Sequence, residues 1–148
     1  MSSLKGSFEY SIDNKGRVNI PAKLKKYVSP DANDTFVVTR GFEKCVYVYP
    51  HDEWLKFEQK LQALSPTEER DRRFLRLLLG PVGESQLDAQ SRISIPKELL
   101  KHAEIEDAVL IIGVLNHMEL WNPAVYTQYL AEHDESYEDA ARAFLSRV

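Results

Sequence analysis

The sequence predicts a β-rich α+β fold in which one structural unit occurs twice, with helices connecting the copies. Three observations support this prediction. A short motif recurs after 75 positions, first as "SIDNKGRVNIPAKLKKY" and then as "QLDAQSRISIPKELLKH". Apolar and polar residues alternate around both copies, which is typical of half-buried strands. The segment between the copies has apolar residues at helical spacing.

The repeated motif predicts a strand, a turn, a second strand and a short helix. Arg17 and Asn19 are expected on the outer face of the second strand, because the alternating apolar residues point inward. The inward set in the first copy is Phe8, Tyr10, Ile12, Val18 and Ile20. Pro21 has a fixed φ and opens a helix over residues 22–27. The second copy repeats this order, with Ile93 and Ile95 inward and Pro96 before its helix.

A second hairpin follows in each copy, so that about 50 residues are duplicated. The β-branched run "TFVVTRG" lies opposite "AVLIIGV", and "CVYVYPHDEW" lies opposite "MELWNPAVY". We expect strands at residues 36–39 and 45–49, and again at 109–113 and 119–121. The single Cys45 excludes an internal disulfide and is expected to pack as a small apolar residue.

Helical patterns connect and follow the copies. The connector "SPTEERDRRFLRLLLG" begins with a capping-box pattern, Ser65 with Glu68, and ends at Gly80. Its arginines form either a solvated face or intersubunit ion pairs: Arg70, Arg72, Arg73 and Arg76. The predicted organisation is a first repeat over residues 1–64, a helical connector over 65–80, a second repeat over 81–131 and a C-terminal helical tail over 132–148.

The tail carries an apolar stripe that needs a cover. Its members are Tyr137, Ala141, Phe144, Leu145 and Val148. Packing on its own subunit and packing on a neighbouring copy are equally open interpretations of this stripe.

The net charge of -4 hides an uneven distribution. Residues 1–50 hold eight Lys or Arg against five acids, net +3, whereas the other 98 residues hold 11 bases and 18 acids, net -7. Five of the eight bases fall between Lys15 and Lys26. A locally basic face of this kind can bind a polyanion although the whole chain is acidic.

Several classes of protein are disfavoured by the sequence. No apolar run approaches the roughly 20 residues that span a bilayer, and "MSSLKGSFEY" lacks the apolar core of a signal peptide, so we expect a cytoplasmic protein without a membrane partner. No P-loop, HExxH, GxGxxG or nucleophile elbow is found, and the four histidines stand singly. We therefore expect no enzyme, no cofactor, no metal and no small-molecule substrate.

The motif Asp-x-x-x-Arg, residues 13–17 and 88–92, has two interpretations. An Asp at the start of a turn accepts backbone N–H groups and pairs with the returning Arg, which is a purely structural role. Alternatively, an Arg held in place by this Asp is ordered for bidentate donation to a phosphate or to guanine. On the second interpretation Asn14 and Gln90 read adenine edges, and a two-stranded ribbon enters the major groove.

The two motifs, with "TRGFEKCVYVYPHDEW" and "ELWNP" following them, resemble the MraZ family of bacterial regulators of the division and cell-wall gene cluster, over about residues 4–130. That family is related more distantly to the AbrB and SpoVT swapped-hairpin DNA binders. The resemblance implies a swapped-hairpin barrel whose two halves form one pseudo-symmetric unit. It also implies homo-oligomeric rings, nucleoid-associated, that bind double-stranded DNA at promoter direct repeats.

Position by position, the resemblance implies DNA contact by Arg17 and Arg92, support from Asp13 and Asp88, and turn contacts by Asn14 and Lys15. The family's typical second motif ends in Gly-Arg, whereas Ser91 precedes Arg92 here. Copy one keeps Gly16 and Lys15 at its turn, so it is expected to be the primary contact.

The sequence therefore predicts a sequence-specific DNA-binding transcriptional regulator. The alternative is an oligomeric scaffold or antitoxin-like protein-binding module, in which the same hairpins would engage a protein.

Overall fold

A computed structural model describes residues 2–133 and 135–148 of the chain. The strands are β1 (Leu4–Ser11), β2 (Arg17–Asn19), β3 (Thr35–Arg40), β4 (Val46–Pro50), β5 (Gly83–Gln86), β6 (Arg92–Ser94), β7 (Ala108–Leu115) and β8 (Met118–Trp121). The helices are α1 (Ala22–Lys25), α2 (His51–Leu61), α3 (Glu69–Leu79), α4 (Lys97–His102), α5 (Pro123–Glu132) and α6 (Tyr137–Leu145), and a short 3-10 helix, Pro30–Ala32, precedes β3. None of the helices described has both the length and the apolar character needed to cross a bilayer.

Six strands form one antiparallel sheet in the order β1-β7-β8-β4-β3-β5, and β2 pairs with β6 in a separate two-stranded ribbon. The predicted α+β, β-rich class is confirmed. The predicted barrel needs a correction, because β1 and β5 do not pair with each other and the described sheet is open.

Strand exchange links the two copies. β1 of the first copy pairs with β7 of the second, from Leu4↔Leu115 to Ser11↔Ala108. β5 of the second copy pairs in turn with β3 of the first. The strands on either side of each Asp-x-x-x-Arg turn therefore belong to different sheets, one to the large sheet and one to the ribbon. The duplicated swapped-hairpin arrangement follows from this pairing.

One apolar cluster lies between the ribbon and the sheet, and both copies contribute to it equally. Val18 and Ile93, paired across the ribbon, are at most 1% exposed, as are Leu24 of α1 and Leu99 of α4. The predicted inward residues Ile12, Ile20 and Ile95 are also buried, while Phe8 and Tyr10 are half-buried at its rim. Burial of matching residues from both copies fixes the ribbon on the sheet.

The other face of the sheet is aromatic. Val46 and Val48 of β4 face the ribbon side, so Tyr47 and Tyr49 point to the opposite side with Trp54 and Trp121. Cys45 packs there with no exposed surface, as predicted for a small apolar residue. Helices α2 and α5 cover this cluster because their aromatic residues pack against it.

The helices differ from prediction mainly at their ends. α1 stops at Lys25 instead of residue 27, and α3 begins at Glu69 without a side-chain cap. The capping-box prediction is wrong, because the N–H of Ser65 donates to Asp71 at 2.8 Å and its hydroxyl contacts that of Thr67 at the same distance. α3 ends at Leu79 before Gly80, as predicted.

Candidate nucleic-acid interface

Asp13 organises the turn between β1 and β2. Its Oδ1 accepts the backbone N–H of Lys15 at 2.9 Å and that of Arg17 at 2.8 Å. Its Oδ2 accepts the Nε–H of Arg17 at 2.8 Å. The N–H of Gly16 donates to the carbonyl of Asp13 at 3.0 Å. One carboxylate thus fixes both the turn backbone and the direction of the guanidinium.

Asp88 does the same in the second copy. Its Oδ1 accepts the backbone N–H groups of Gln90 and Arg92, each at 2.9 Å, and its Oδ2 accepts the Nε–H of Arg92 at 2.9 Å. The N–H of Ser91 donates to the carbonyl of Asp88 at 3.0 Å. The two turns are therefore equivalent in hydrogen bonding although only Asp and Arg are common to their sequences.

Both carboxylates are held in the ionised state by these donors. The pKa of Asp13 lies below its ordinary value, chiefly because the backbone N–H of Arg17 favours the charged form, with further help from the Arg17 side chain. The pKa of Asp88 is lowered in the same way by Arg92. Each Asp therefore remains an acceptor for its arginine at neutral pH.

The ribbon brings the two turns together. Arg17 lies opposite Ser94 and Arg92 lies opposite Asn19, on the outer face. Asn19 Nδ2 donates to the carbonyl of Gln90 at 2.7 Å, across 71 residues of sequence. Arg92 Nη1 also lies 3.6 Å from Asp13 Oδ2, so the carboxylate of copy one contacts the arginines of both copies.

The two arginines differ in their surroundings. Arg92 contacts both Asp88 and Asp13, and its side chain is 23% exposed. Arg17 contacts Asp13 alone, its side chain is 31% exposed, and its terminal nitrogens have no hydrogen-bond or ion-pair partner among the residues described. A guanidinium anchored through Nε with free terminal nitrogens can donate to an external acceptor in a fixed direction. Arg17 is the better placed of the two for this.

The remaining predicted residues surround these arginines. Asn14, Lys15 and Gln90 are exposed at the tips of the two turns, and Gly16 is buried beneath them. Sequence reasoning missed Lys25, whose Nζ donates to the hydroxyl of Ser91 at 2.8 Å and so joins the basic helix α1 to the second turn. The cluster of bases between residues 15 and 26 was the signal that could have indicated it.

The two turns need the same unusual backbone. Gly16 has φ 77° and Ser91 has φ 60°, in the left-handed region that favours glycine. A Cβ at position 16 would lie 2.9 Å from the carbonyl oxygen of Ile95. Copy two therefore accepts a strained serine where copy one has the unstrained residue.

We expect Ser91→Gly to raise the free energy of unfolding by about 0.5 kcal/mol, because relief of left-handed strain outweighs the greater freedom of glycine in the unfolded chain and the loss of the exposed bond from Lys25. The matched change Gly16→Ala is expected to lower it by about 2 kcal/mol, since it adds strain and the contact with Ile95. Urea unfolding of both variants measures these changes. Equal effects of the same sign would contradict the conclusion that Ser91 is strained and Gly16 is not.

One group of side chains has the composition of a metal site. Among the residues described, the ligand atoms of Glu43, Cys45 and Glu119 lie within 4.8 Å of one another. Burial raises the pKa of the Cys45 thiol and of the Glu119 carboxyl, and Glu119 already accepts the Trp121 indole N–H at 2.9 Å. The group lies beside the aromatic cluster that contains Cys45, on the face of the sheet opposite the ribbon.

Comparison with known proteins gives the family. The family model described as "MraZ protein, putative antitoxin-like" matches residues 4–77 and again residues 78–147. The chain belongs to the MraZ family. Two successive matches to one family model also confirm the duplication that the repeated motif predicted.

Similar MraZ proteins come from several bacteria. A protein of Halothermothrix orenii is 41% identical over 138 residues, 93% of this chain and 94% of that protein. One of Pediococcus pentosaceus is 40% identical over 136 residues, 92% of each chain. One of Caldanaerobacter subterraneus is 41% identical over 138 residues, which are 93% of this chain and 94% of that protein. All three are named transcriptional regulator MraZ and none is named as an enzyme, in agreement with the expectation that this chain is not one.

Proposed function

We propose that this chain is a sequence-specific DNA-binding transcriptional regulator that acts on its own division and cell-wall gene cluster. The observation that carries the proposal is the pair of Asp–Arg turns on the β2–β6 ribbon, in which Asp13 holds the Nε of Arg17 and the terminal nitrogens of Arg17 have no partner in the described part of the chain. The names of the relatives support a regulatory role.

Each residue of the ribbon takes a role suited to its chemistry. Arg17 donates to a guanine edge in the major groove, and Arg92 makes the corresponding contact from copy two. Lys15 neutralises a phosphate at the exposed turn tip, while Asn14 and Gln90 reach adenine edges. Asp13 and Asp88 touch no DNA and keep the arginines in position, and Gly16 allows the turn.

A single ribbon offers few phosphate contacts, so its affinity alone is weak and salt-sensitive. We infer that several copies assemble into a ring that presents one ribbon from each subunit. Within a subunit, the repeats at residues 1–64 and 81–131 each contribute one strand of the ribbon. Binding to direct repeats upstream of the operon then gains affinity through effective concentration. Such an assembly would be associated with the nucleoid.

The alternative is an oligomeric scaffold or antitoxin-like protein-binding module. The observation that favours this alternative is the description of the matching family model as antitoxin-like. On this alternative the ribbon contacts a protein surface, and DNA binding is weak and indifferent to sequence.

Fluorescence anisotropy with a labelled duplex from upstream of the chain's own coding sequence tests the proposal. The control is a shuffled duplex of equal length and composition, measured at two salt concentrations. We expect at least about a thousand-fold preference for the upstream duplex, and affinity for both that falls with salt. Equal affinity for the two duplexes would overturn sequence-specific regulation and favour the alternative.

A further inference from the structure

Helix α6 is not covered by any other part of its own subunit that the structure describes. No residue of α6 is buried, and Ala141 alone is half-buried. The large side chains of its apolar stripe are more than half exposed: Tyr137 84%, Phe144 54%, Leu145 63% and Val148 83%. An amphipathic helix of nine residues is not stable by itself in water, so its apolar face needs a partner. Of the two interpretations of the stripe, packing on its own subunit is absent from the described structure.

A matching apolar surface lies at α3. Phe42 is 63% exposed and Leu77 is 42% exposed, and the ring of Phe42 lies 6.1 Å from that of Phe74. A cleft of about 190 Å³ lies here, lined by Arg40, Gly41, Phe42, Phe74, Leu77 and Leu78. Cavities of this size hold a single six-membered ring. The cleft therefore suits one aromatic side chain.

The charges beside the two surfaces are complementary. Residues 70–76 of α3 contain four Arg and one Asp, net +3. Residues 135–140, at the start of α6, contain two Glu, one Asp and no base, net -3. Arg70 and Glu138 are exposed, and neither has an ion-pair partner among the residues described. Complementary charge around an apolar centre is the arrangement of a specific protein interface.

The spacing between charged and apolar residues is the same on α6 and on α3. Glu138 precedes Leu145 by seven residues on α6, and Arg70 precedes Leu77 by seven residues on α3. In both helices seven residues span about 10 Å. A side-by-side alignment with the helices running in the same direction therefore brings the acidic turn to the arginines and the apolar end to the cleft.

We propose that α6 of one copy docks on α3 of a second copy, with Phe144 in the cleft at Phe42 and Phe74 and the acidic start of α6 against Arg70 and Arg73. The proposal rests on the homo-oligomer of the proposed function and names the contact that builds it. Because donor and acceptor surfaces are different parts of the chain, the contact is head-to-tail and closes into a ring when the rotation allows.

Charge reversal tests the contact in the full-length chain. Arg70→Glu and Glu138→Arg are each expected to weaken self-association about ten-fold, because like charges then face each other. The two changes combined in one chain restore the opposite-charge pairing and are expected to return the assembly close to its original strength. Light scattering across a concentration series measures the mass, and circular dichroism checks the fold. Lys60→Glu and Glu106→Arg, both at exposed positions, are the matched controls.

A second variant tests the apolar part. Phe144→Ser changes a half-exposed side chain, so the fold is expected to persist while the assembly dissociates at least ten-fold more readily. Unchanged mass in all these variants, with a wild-type oligomer, overturns this inference and leaves DNA regulation standing. A wild-type chain that stays monomeric at every concentration overturns the inference together with the ring, and the anisotropy titration then reports separately on DNA binding. Failure of the double reversal to restore assembly, with both single variants weakened, overturns the pairing of Arg70 with Glu138.

Discussion

Arg17→Ala is expected to weaken binding to the upstream duplex by about a hundred-fold and to leave the mass of the assembly unchanged. An arginine that reads a base contributes about 1–3 kcal/mol. The same contact is lost from every subunit that engages the DNA and these losses add, so two engaged subunits that each lose about 1.4 kcal/mol account for the hundred-fold change. Fluorescence anisotropy at fixed salt measures the affinity, and light scattering measures the mass.

The surroundings of the two arginines set the controls for this experiment. Arg92→Ala is expected to have the smaller effect, because Arg92 is shared between Asp88 and Asp13 and is less exposed than Arg17. Lys60→Ala removes the same charge from a distant exposed helix position and is expected to change affinity less than two-fold at moderate salt. Full retention of binding by Arg17→Ala would contradict the role given to this residue.

Gly113→Ala is expected to lower the free energy of unfolding by about 3 kcal/mol. Gly113 in β7 lies opposite Gly6 in β1, and a Cβ there would lie 2.5 Å from the backbone nitrogen of Lys5 and 2.8 Å from the carbonyl carbon of Leu4. Both atoms are backbone, so only separation of the strands can make room. Leu4, which has no exposed surface, would be pulled from the core.

Urea unfolding of Gly113→Ala measures this loss, with Val114→Ala as the control at the next position of the same strand. Val114 is 38% exposed, so its truncation is expected to cost less than about 1 kcal/mol. Similar losses in the two variants would mean that the strands can shift and that the close approach at Gly113 is not critical.

The fold could be predicted from the sequence where local patterning decides it. Alternation assigned Val18 and Ile93 inward, and fixed φ at Pro21 and Pro96 marked the starts of α1 and α4. Alternation identifies faces but not partners, so it could not show that β2 pairs with β6. The start of α3 was mispredicted because Ser65 has a more favourable local arrangement with Thr67 and Asp71 than the capping box.

The candidate site also contains some contacts that the sequence could predict and others that it could not. The bonds from Asp13 to Arg17 span four residues of one turn, so turn chemistry was enough to suggest them. The contact of Arg92 with Asp13 and the bond from Asn19 to Gln90 depend on the strand exchange. Sequence separations of more than 70 residues carry no local signal, and only knowledge of the pairing could have revealed these contacts.

Pairing of β2 with β6 also makes the ribbon, and with it the DNA binding proposed for it, depend on synthesis of the second copy as far as β6. In the ribbon Val18 lies opposite Ile93, 75 residues later in the sequence. A growing chain has already made Asp13, Arg17 and the basic helix long before it has a strand against which to place them. Closing so long a loop costs chain entropy that only the contacts of the second copy repay. Chains that end before β6 therefore lack the ribbon, although they carry the most basic segment of the protein.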